Sequence, residues 1–446
     1  MADFNRPESE EDFKKNFGSI KPAMSDTQAH YESARCLFCY DAPCIQACPT
    51  GIDIPLFIRQ IHTNNLSGAA STIYQSNWLG YACGQVCPTE VLCEGACVYN
   101  HQEVKPIEIG RLQSYATRHV IRDSRKIITT EKRTGYSVAI VGAGPAGIAA
   151  ACELSVYGHK VIIFEAKSRP SGLVVHGVAP YKITNEQALD EVHYLQQQFG
   201  FEIAYEHPIA TASDFDELEN NYHAVFLGIG LGDTRNLNLK GEHLEGCWGA
   251  VEFIEHLKIR QHDFKVPDSV VVLGGGNTAM DAASECARMG AKSVTLGYRR
   301  GPGQMGAYEF EYELAKSVGV GGLWFANPIE ILGETRVEAV KFERTQLTDG
   351  VLTPIEGSSF SVKCDMVIRA TGQNKHQILS SISGLELEPD GSIKPGLLPY
   401  QCTNQKYFIA GDAYNGGLEV VNAVAEAKQA AQSINQYLSQ ELNQQV

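Results

Sequence analysis

Two stretches of the chain spell out the same local pattern, and no other feature restricts its fold as tightly. In "YSVAIVGAGPAGIAAACELSVYGHKVIIFEAK" a β-branched run, Val138 to Val141, enters Gly142-Ala143-Gly144-Pro145-Ala146-Gly147. A helix-period segment follows, and a second strand, Val161 to Phe164, ends on Glu165. A lone G-x-G-x-x-G says little, but strand, glycines, helix, strand and acid in that order specify a dinucleotide-binding βαβ unit. Gly142 permits the tight turn, Gly144 lets the backbone approach a pyrophosphate, and Gly147 lets helix and strand pack closely. The helix N-terminus offers free N–H groups to phosphate. Glu165 is placed to accept hydrogen bonds from a ribose diol.

The pattern returns in "SVVVLGGGNTAMDAASECARMGAKSVTLGYRRG", where Gly274, Gly276 and Ala279 hold the three positions. Glu165 lies 23 residues beyond Gly142; the matching position beyond Gly274 is Gly297, followed by Tyr298, Arg299 and Arg300. An acid suits a free 2′-hydroxyl and arginines suit a 2′-phosphate, so the first unit reads as an FAD site and the second as an NADPH site. A solvated face or a contact with the pyrophosphate is the less favoured alternative for the arginines. Two later segments support a flavin. "DMVIRATGQ" is a strand running into Ala370-Thr371-Gly372, and "KYFIAGDAYNGGLEVVNAVAEAKQAAQSI" is a strand, Gly411-Asp412 and a helix expected to begin near Leu418–Val420. Asp412 could hold ribityl hydroxyls, and the helix's positive end could face reduced flavin.

Eight of the thirteen cysteines lie between residues 36 and 97. They form C-x2-C-x4-C-x3-C-P from Cys36 to Pro49 and C-x3-C-x5-C-x3-C from Cys83 to Cys97. Two metal readings compete. Structural zinc favours paired C-x2-C knuckles, and only Cys36/Cys39 has that form. The run closed by Cys-Pro resembles iron–sulfur ligation in which the fourth cysteine serves the other of two clusters, and this reading is preferred. The remaining five, Cys152, Cys247, Cys286, Cys364 and Cys402, read as small buried hydrophobes.

Composition removes other classes. A formal charge of −15 argues against nucleic acid as a partner, and 43% apolar with 20% charged residues describes an ordinary globular chain. The N-terminus has no apolar signal region, and residues 137–154 carry too many glycines for a membrane span. A soluble, cytoplasmic protein is expected, in which a disulfide framework would be out of place.

With these motifs in view, the chain resembles the FAD- and iron–sulfur-containing electron-input module shared by dihydropyrimidine dehydrogenase and the glutamate synthase small subunit. The resemblance runs from about residue 30 to 435 and is strongest in "CLFCYDAPCIQACPTGIDIPLFI", "CGQVCPTEVLCEGAC" and "PIEIGRLQ". It implies one [4Fe-4S] cluster on Cys36, Cys39, Cys44 and Cys97, and another on Cys48, Cys87, Cys93 and Gln113, with Cys83 spare. Spacing alone would have chosen Cys83 over Gln113. It further implies FAD contacts at Gly142, Ala143, Gly144, Ala146, Glu165, Gly172, Leu173, Lys182, Gly411 and Asp412. Nicotinamide nucleotide contacts are implied at Gly275, Gly276, Asn277, Thr278, Arg299 and Arg300, with Ala370-Thr371-Gly372 near where the cofactors meet. Ser171 stands where the family has a second glycine, and Gly306 where it can offer another phosphate-binding arginine; the latter leaves NAD use open.

The expected fold is α/β, with two Rossmann-like parallel-sheet domains for FAD and NAD(P) after an all-helical iron–sulfur domain. The boundaries expected are 1–130 for the helical domain, 135–245 plus 368–446 for the FAD domain, and 246–367 for the inserted nucleotide domain. The function implied is oxidation of NAD(P)H, with electrons leaving for an FMN-containing partner subunit that interconverts uracil or thymine and the 5,6-dihydropyrimidines. No FMN barrel follows in the sequence, hence the partner, and no acid–base residue is assigned in this chain. The alternative is a glutamate synthase small subunit. A disulfide reductase is disfavoured because no C-x-x-C lies near the flavin segments.

Overall fold

The structure, a computed structural model, describes residues 4–444. Its chain contacts divide into two units, one of residues 20–175, 182–231 and 375–446, the other of 1–19, 176–181 and 232–374.

The larger unit begins with short helices, among them Asp26–Ala34, Ile54–His62, Leu66–Ser76, Gly80–Val86 and Ile109–Arg122. Glycine sets how closely the last two approach. A Cβ on Gly84 would strike the Ser114 hydroxyl and lie 2.8 Å from the Gly110 carbonyl oxygen, and one on Gly110 would lie 2.7 Å from the Gly84 oxygen. After the exposed Arg122 and Arg125, which pair with Asp123, comes a five-stranded parallel sheet. Its order is Tyr407–Ile409, Ala224–Leu227, Ser137–Val141, Lys160–Phe164, Glu202–Ala204. The central strand pairs Val138 with both Val161 and Ala224 and is buried from Val138 onward. That is why its sequence is a continuous apolar run rather than an alternating one. The C-terminal helix, Val420–Gln444, starts where its sequence placed it. With the Pro145–Val156 helix it buries an ion pair, Lys428 to Glu153, whose carboxylate also accepts from the Trp78 indole at 2.7 Å.

The smaller unit repeats the architecture in the order Cys247–Gly249, Met366–Arg369, Ser269–Leu273, Ser293–Tyr298, Gly321–Trp324, all parallel. Two features were not foreseen. An antiparallel sheet of Ala326–Leu332, Ala339–Thr348, Val351–Pro354 and Phe360–Lys363 is inserted before the last parallel strand. Residues 4–19 also belong here and not with the cysteine-bearing helices. Ser9 caps the helix Glu10–Asn16, and Phe13 stacks on Phe17 at 4.3 Å, Phe17 in turn reaching Tyr181. Among the described residues no helix is long and apolar enough to cross a membrane.

Candidate functional site

In the larger unit the glycine loop is built as its spacing requires. Gly142 has φ +96° and lies so near Gly228 that a Cβ would approach its oxygen to 2.6 Å. A Cβ on Gly147 would run into the Gly142 carbonyl oxygen. Gly144 is the N-cap of the Pro145–Val156 helix, and no side chain caps that end, so its N–H groups are free to face an anion. Glu165, at the end of the next strand, accepts from the Ala143 N–H at 2.7 Å and the Lys167 N–H at 2.8 Å. Two distant segments close on this loop. A Cβ on Gly172 would lie 2.9 Å from the Gly144 Cα, and one on Gly411 3.0 Å from the Ala146 Cβ. Gly411 donates to Glu426 at 2.8 Å, while Asp412 accepts from the Leu418 N–H at 3.3 Å. Burial pushes the Asp412 carboxyl above its ordinary range. Gly142 to Gly147, Glu165, Gly172, Gly411 and Asp412 therefore share one locality; Leu173 opens the short helix Leu173–His176, and Lys182 is buried. Ser171 adopts φ +79°, a glycine conformation held by another residue.

In the smaller unit Gly276 caps the helix Asn277–Arg288 without a side-chain partner, and a Cβ there would meet nothing within 4 Å. Gly275 is different, because the Tyr298 ring lies 2.6 Å from where its Cβ would be. Asn277 accepts from the Tyr308 N–H at 2.9 Å. Gly274 abuts Ala370, the Thr371 hydroxyl donates to the Arg235 oxygen at 3.0 Å, and the Gly372 oxygen accepts from the Arg235 N–H. Arg299 and Arg300 follow directly on the strand Ser293–Tyr298, which neighbours the glycine-loop strand. Arg299 is exposed.

The cysteines stand around two cavities in the larger unit. Cys36, Cys39, Cys44 and Cys97 line one, backed by Ile54, Ile58 and Ile107. Cys48, Cys83, Cys87, Cys93 and Gln113 line the other. All thirteen thiols are free. Among the described residues no three metal-binding side chains converge on one point. Thiols spread around a cavity are the donor arrangement of a polynuclear iron–sulfur cluster rather than of a single ion. Gln113 is buried, and its Nε2 donates to the Gly80 oxygen at 2.6 Å, which leaves the carboxamide oxygen as the end of the amide able to accept or ligate. Burial pushes the Cys44 thiol up to about 12 and raises Cys36 and Cys93; a hydrogen bond with Cys83, then burial, raises Cys87. Cluster binding would displace those protons, since the thiolate is the ligand. The residues thus fit [4Fe-4S] ligation, with a set of thiols at each cavity. Cys83, which spacing alone favours and the family resemblance leaves spare, lines the same cavity as Gln113. Asn77 also lines that cavity, and no local pattern marks it.

Comparison with known proteins agrees with this geometry. Residues 13–125 match the family described as dihydropyrimidine dehydrogenase domain II, 4Fe-4S cluster, and residues 136–427 match the pyridine nucleotide-disulphide oxidoreductases. The NAD-dependent dihydropyrimidine dehydrogenase subunit PreT of Escherichia coli K12 is 34% identical over 94% of this chain and 96% of its own length. The glutamate synthase [NADPH] small chain of the same organism is 32% identical over 95% and 94%. Mycobacterium tuberculosis FprA, solved in complex with NADPH, shares the fold of 69% of this chain and 85% of its own, with a TM-score of 0.58 at 20% identity. The chain is therefore an NAD(P)-dependent oxidoreductase and belongs to the pyridine nucleotide-disulphide oxidoreductases, within the iron–sulfur-bearing group of dihydropyrimidine dehydrogenase electron-input subunits and glutamate synthase small chains.

Proposed function

We propose that the chain is the NAD(P)H-oxidising subunit of a cytoplasmic dihydropyrimidine dehydrogenase, supplying electrons to an FMN-containing partner subunit that interconverts uracil or thymine and their 5,6-dihydro forms. The observation that carries this reading is Gln113, a carboxamide set into a cavity of cysteines with its nitrogen already engaged. The residue matches the dihydropyrimidine dehydrogenase pattern, and the PreT relatives support it across almost the whole chain. The free state of every cysteine is compatible with a reducing compartment.

On this reading the two nucleotide units divide the work. Gly142, Ala143, Gly144, Ala146, Gly147, Glu165, Gly172, Leu173, Lys182, Gly411 and Asp412 would hold FAD. Gly275, Gly276, Asn277 and Thr278 would hold the pyrophosphate of the nicotinamide nucleotide, with Ala370, Thr371 and Gly372 beside the glycine loop and Arg299 and Arg300 at its ribose. Cys36, Cys39, Cys44 and Cys97 would hold one [4Fe-4S] cluster, and Cys48, Cys87, Cys93 and Gln113 the second. When bound, FAD and the clusters supply the conversion of a hydride's electron pair into single electrons. The chain's own side chains bind, orient and exclude water, and none is assigned a proton-transfer role. The three-domain division at 1–130, 135–245 plus 368–446, and 246–367 belongs to the same proposal, except that residues 4–19 group with the smaller unit and not with the helical domain. It is supported by one parallel sheet for each nucleotide.

A second reading, the glutamate synthase small chain, is favoured by relatives of nearly equal identity. Anaerobic native pull-down with partner identification by mass spectrometry separates the two. An FMN-bearing pyrimidine reductase is the expected companion. A large glutamine-amidotransferase subunit would overturn the reading in favour of glutamate synthesis.

A further inference from the structure

One buried polar group in the Gln113 cavity lacks an acceptor. Asn77 follows the helix Leu66–Ser76, is fully buried, and lines the cavity with Cys48, Cys83, Cys87, Cys93 and Gln113. Its Oδ1 accepts from the Leu79 N–H at 3.0 Å, which fixes the orientation of the amide. The other half of the amide, Nδ2, is buried without a hydrogen-bond partner. Such an atom is rare in a native fold and costly to leave unmet.

The surroundings do not let the side chain turn elsewhere. The Asn77 N–H is bonded to the Ile73 oxygen at 2.8 Å, and the next residue, Trp78, is tied to Glu153 at 2.7 Å. Three residues on, the Gly80 oxygen holds the Gln113 amide. Water is a poor candidate for the missing acceptor. Apart from the thiols, the polar side chains lining the cavity with Asn77 are Gln113 and Thr89, already bonded to Gly80 and Lys21, and the rest of the wall is apolar, with Pro49, Ile52, Ile54, Leu92 and Val421; a buried water needs two or more polar partners. Sulfur is what the cavity offers.

We infer that Asn77 donates an N–H···S hydrogen bond to the iron–sulfur cluster held in the Cys48/Cys87/Cys93/Gln113 cavity and thereby raises its reduction potential. The inference rests on the two-cluster reading above and goes one step further, from the ligands to a residue that tunes them. A hydrogen bond to cluster sulfur stabilises the reduced state, which carries one more negative charge, more than the oxidised state. Asn77 acts on the cluster directly, through its sulfur, and exchanges no electron or proton.

The test uses the full-length protein, purified anaerobically with its clusters. Redox titration followed by electron paramagnetic resonance should give two cluster signals in the wild type. In Asn77→Asp, which keeps the acceptor for Leu79, and in Asn77→Leu, the potential of one signal should fall while the other stays. Should either variant fail to fold, the wild type labelled with 15N in asparagine side chains provides an independent readout, a nitrogen hyperfine coupling on one reduced cluster only. Unchanged potentials, or no asparagine coupling, would overturn the role of Asn77 while the two-cluster reading stands. A wild type with iron and sulfide for a single cluster, bound at Cys36/Cys39/Cys44/Cys97, would overturn both.

Discussion

Glu191 lies on the helix Asn185–Phe199 with its carboxyl fully buried, and three donors end on it. They are the Tyr81 N–H at 2.6 Å, the Ala82 N–H at 2.8 Å and the Tyr74 hydroxyl at 3.0 Å. It thereby caps the helix Gly80–Val86, which has no side-chain cap of its own and carries Cys83. Burial, the largest influence, pushes the Glu191 carboxyl up to about 7, opposed by those hydrogen bonds. The titratable neighbours Tyr74, Tyr81 and Cys152 are all raised and stay neutral across the range that matters. The folded chain thus holds the Glu191 proton to higher pH than the unfolded chain does. Stability must fall as pH rises from about 4.5 toward about 7 and level off beyond it. At ~1.4 kcal/mol per pH unit the full loss is roughly 3 kcal/mol, of which roughly 2 kcal/mol falls above about pH 5.5.

Glu191→Gln cannot ionise and should abolish that slope. It also turns an amide NH2 toward a backbone N–H that needs an acceptor, at a cost of about 1–3 kcal/mol at every pH. Urea unfolding followed by far-ultraviolet circular dichroism from about pH 5.5 to 8.5, on wild type and variant, reads the difference directly. The wild type should lose roughly 2 kcal/mol more than the variant across that range. Parallel stability curves, or a wild type that gains relative to the variant as pH rises, would refute the reasoning.

Three further outcomes follow from geometry. Gly147→Ala forces a Cβ into the Gly142 carbonyl oxygen; the purified protein should lose bound flavin and about 3 kcal/mol or more of stability, and full flavin stoichiometry with an unshifted melt would contradict this. Gly84→Ala drives the Gly80–Val86 and Ile109–Arg122 helices apart, at about 1–3 kcal/mol. Iron and sulfide per chain should drop by about one cluster, with the absorption of the other intact. Arg299→Ala and Arg300→Ala should raise the KM for NADPH by about 10-fold or more and leave NADH unaffected if the pair grips a 2′-phosphate, at ~1.5–3 kcal/mol per charged hydrogen bond. Equal effects on both nucleotides would place them on the pyrophosphate or in solvent.

What could be read from the sequence was local. The strands at Val138 and Val270 are buried on both faces and announce themselves as apolar runs, and Gly142, Gly147 and Gly274 sit at backbone positions another residue would strain. The division of cysteines between two cavities was legible only through the family resemblance. The chain crosses between the cavities, Cys97 joining Cys36, Cys39 and Cys44 while Cys48 joins the later run. Features set by tertiary contact left no trace. Phe13 and Phe17 mark an apolar helix face without saying what it covers. Glu191 and Asn77 are an ordinary acid and amide until burial makes their partners obligatory. The antiparallel strands from Ala326 to Lys363 alternate buried and exposed positions only loosely, because parts of both faces are covered.

With the proposed donor sets, the two cavities differ in charge as well as in position. Four thiolates carry four negative charges, and three thiolates with a carboxamide carry three, so the Gln113 cavity should accept an electron more readily. The same cavity is the one that reaches toward the flavin residues. Val421 lines it, and two residues further along that helix Ala423 sits 3.5 Å from where a Cβ on Gly411 would be. A single stretch of backbone, Gly411 to Ala423, therefore borders both the proposed flavin locality and the less negative cysteine site. A neutral ligand and an amide donor at the cavity that Val421 lines would favour electrons leaving the flavin side, whereas a fourth thiolate there would oppose it. On this argument the glutamine is retained for its charge, and Gln113→Glu, which restores that charge with little change in shape, is the substitution that isolates it.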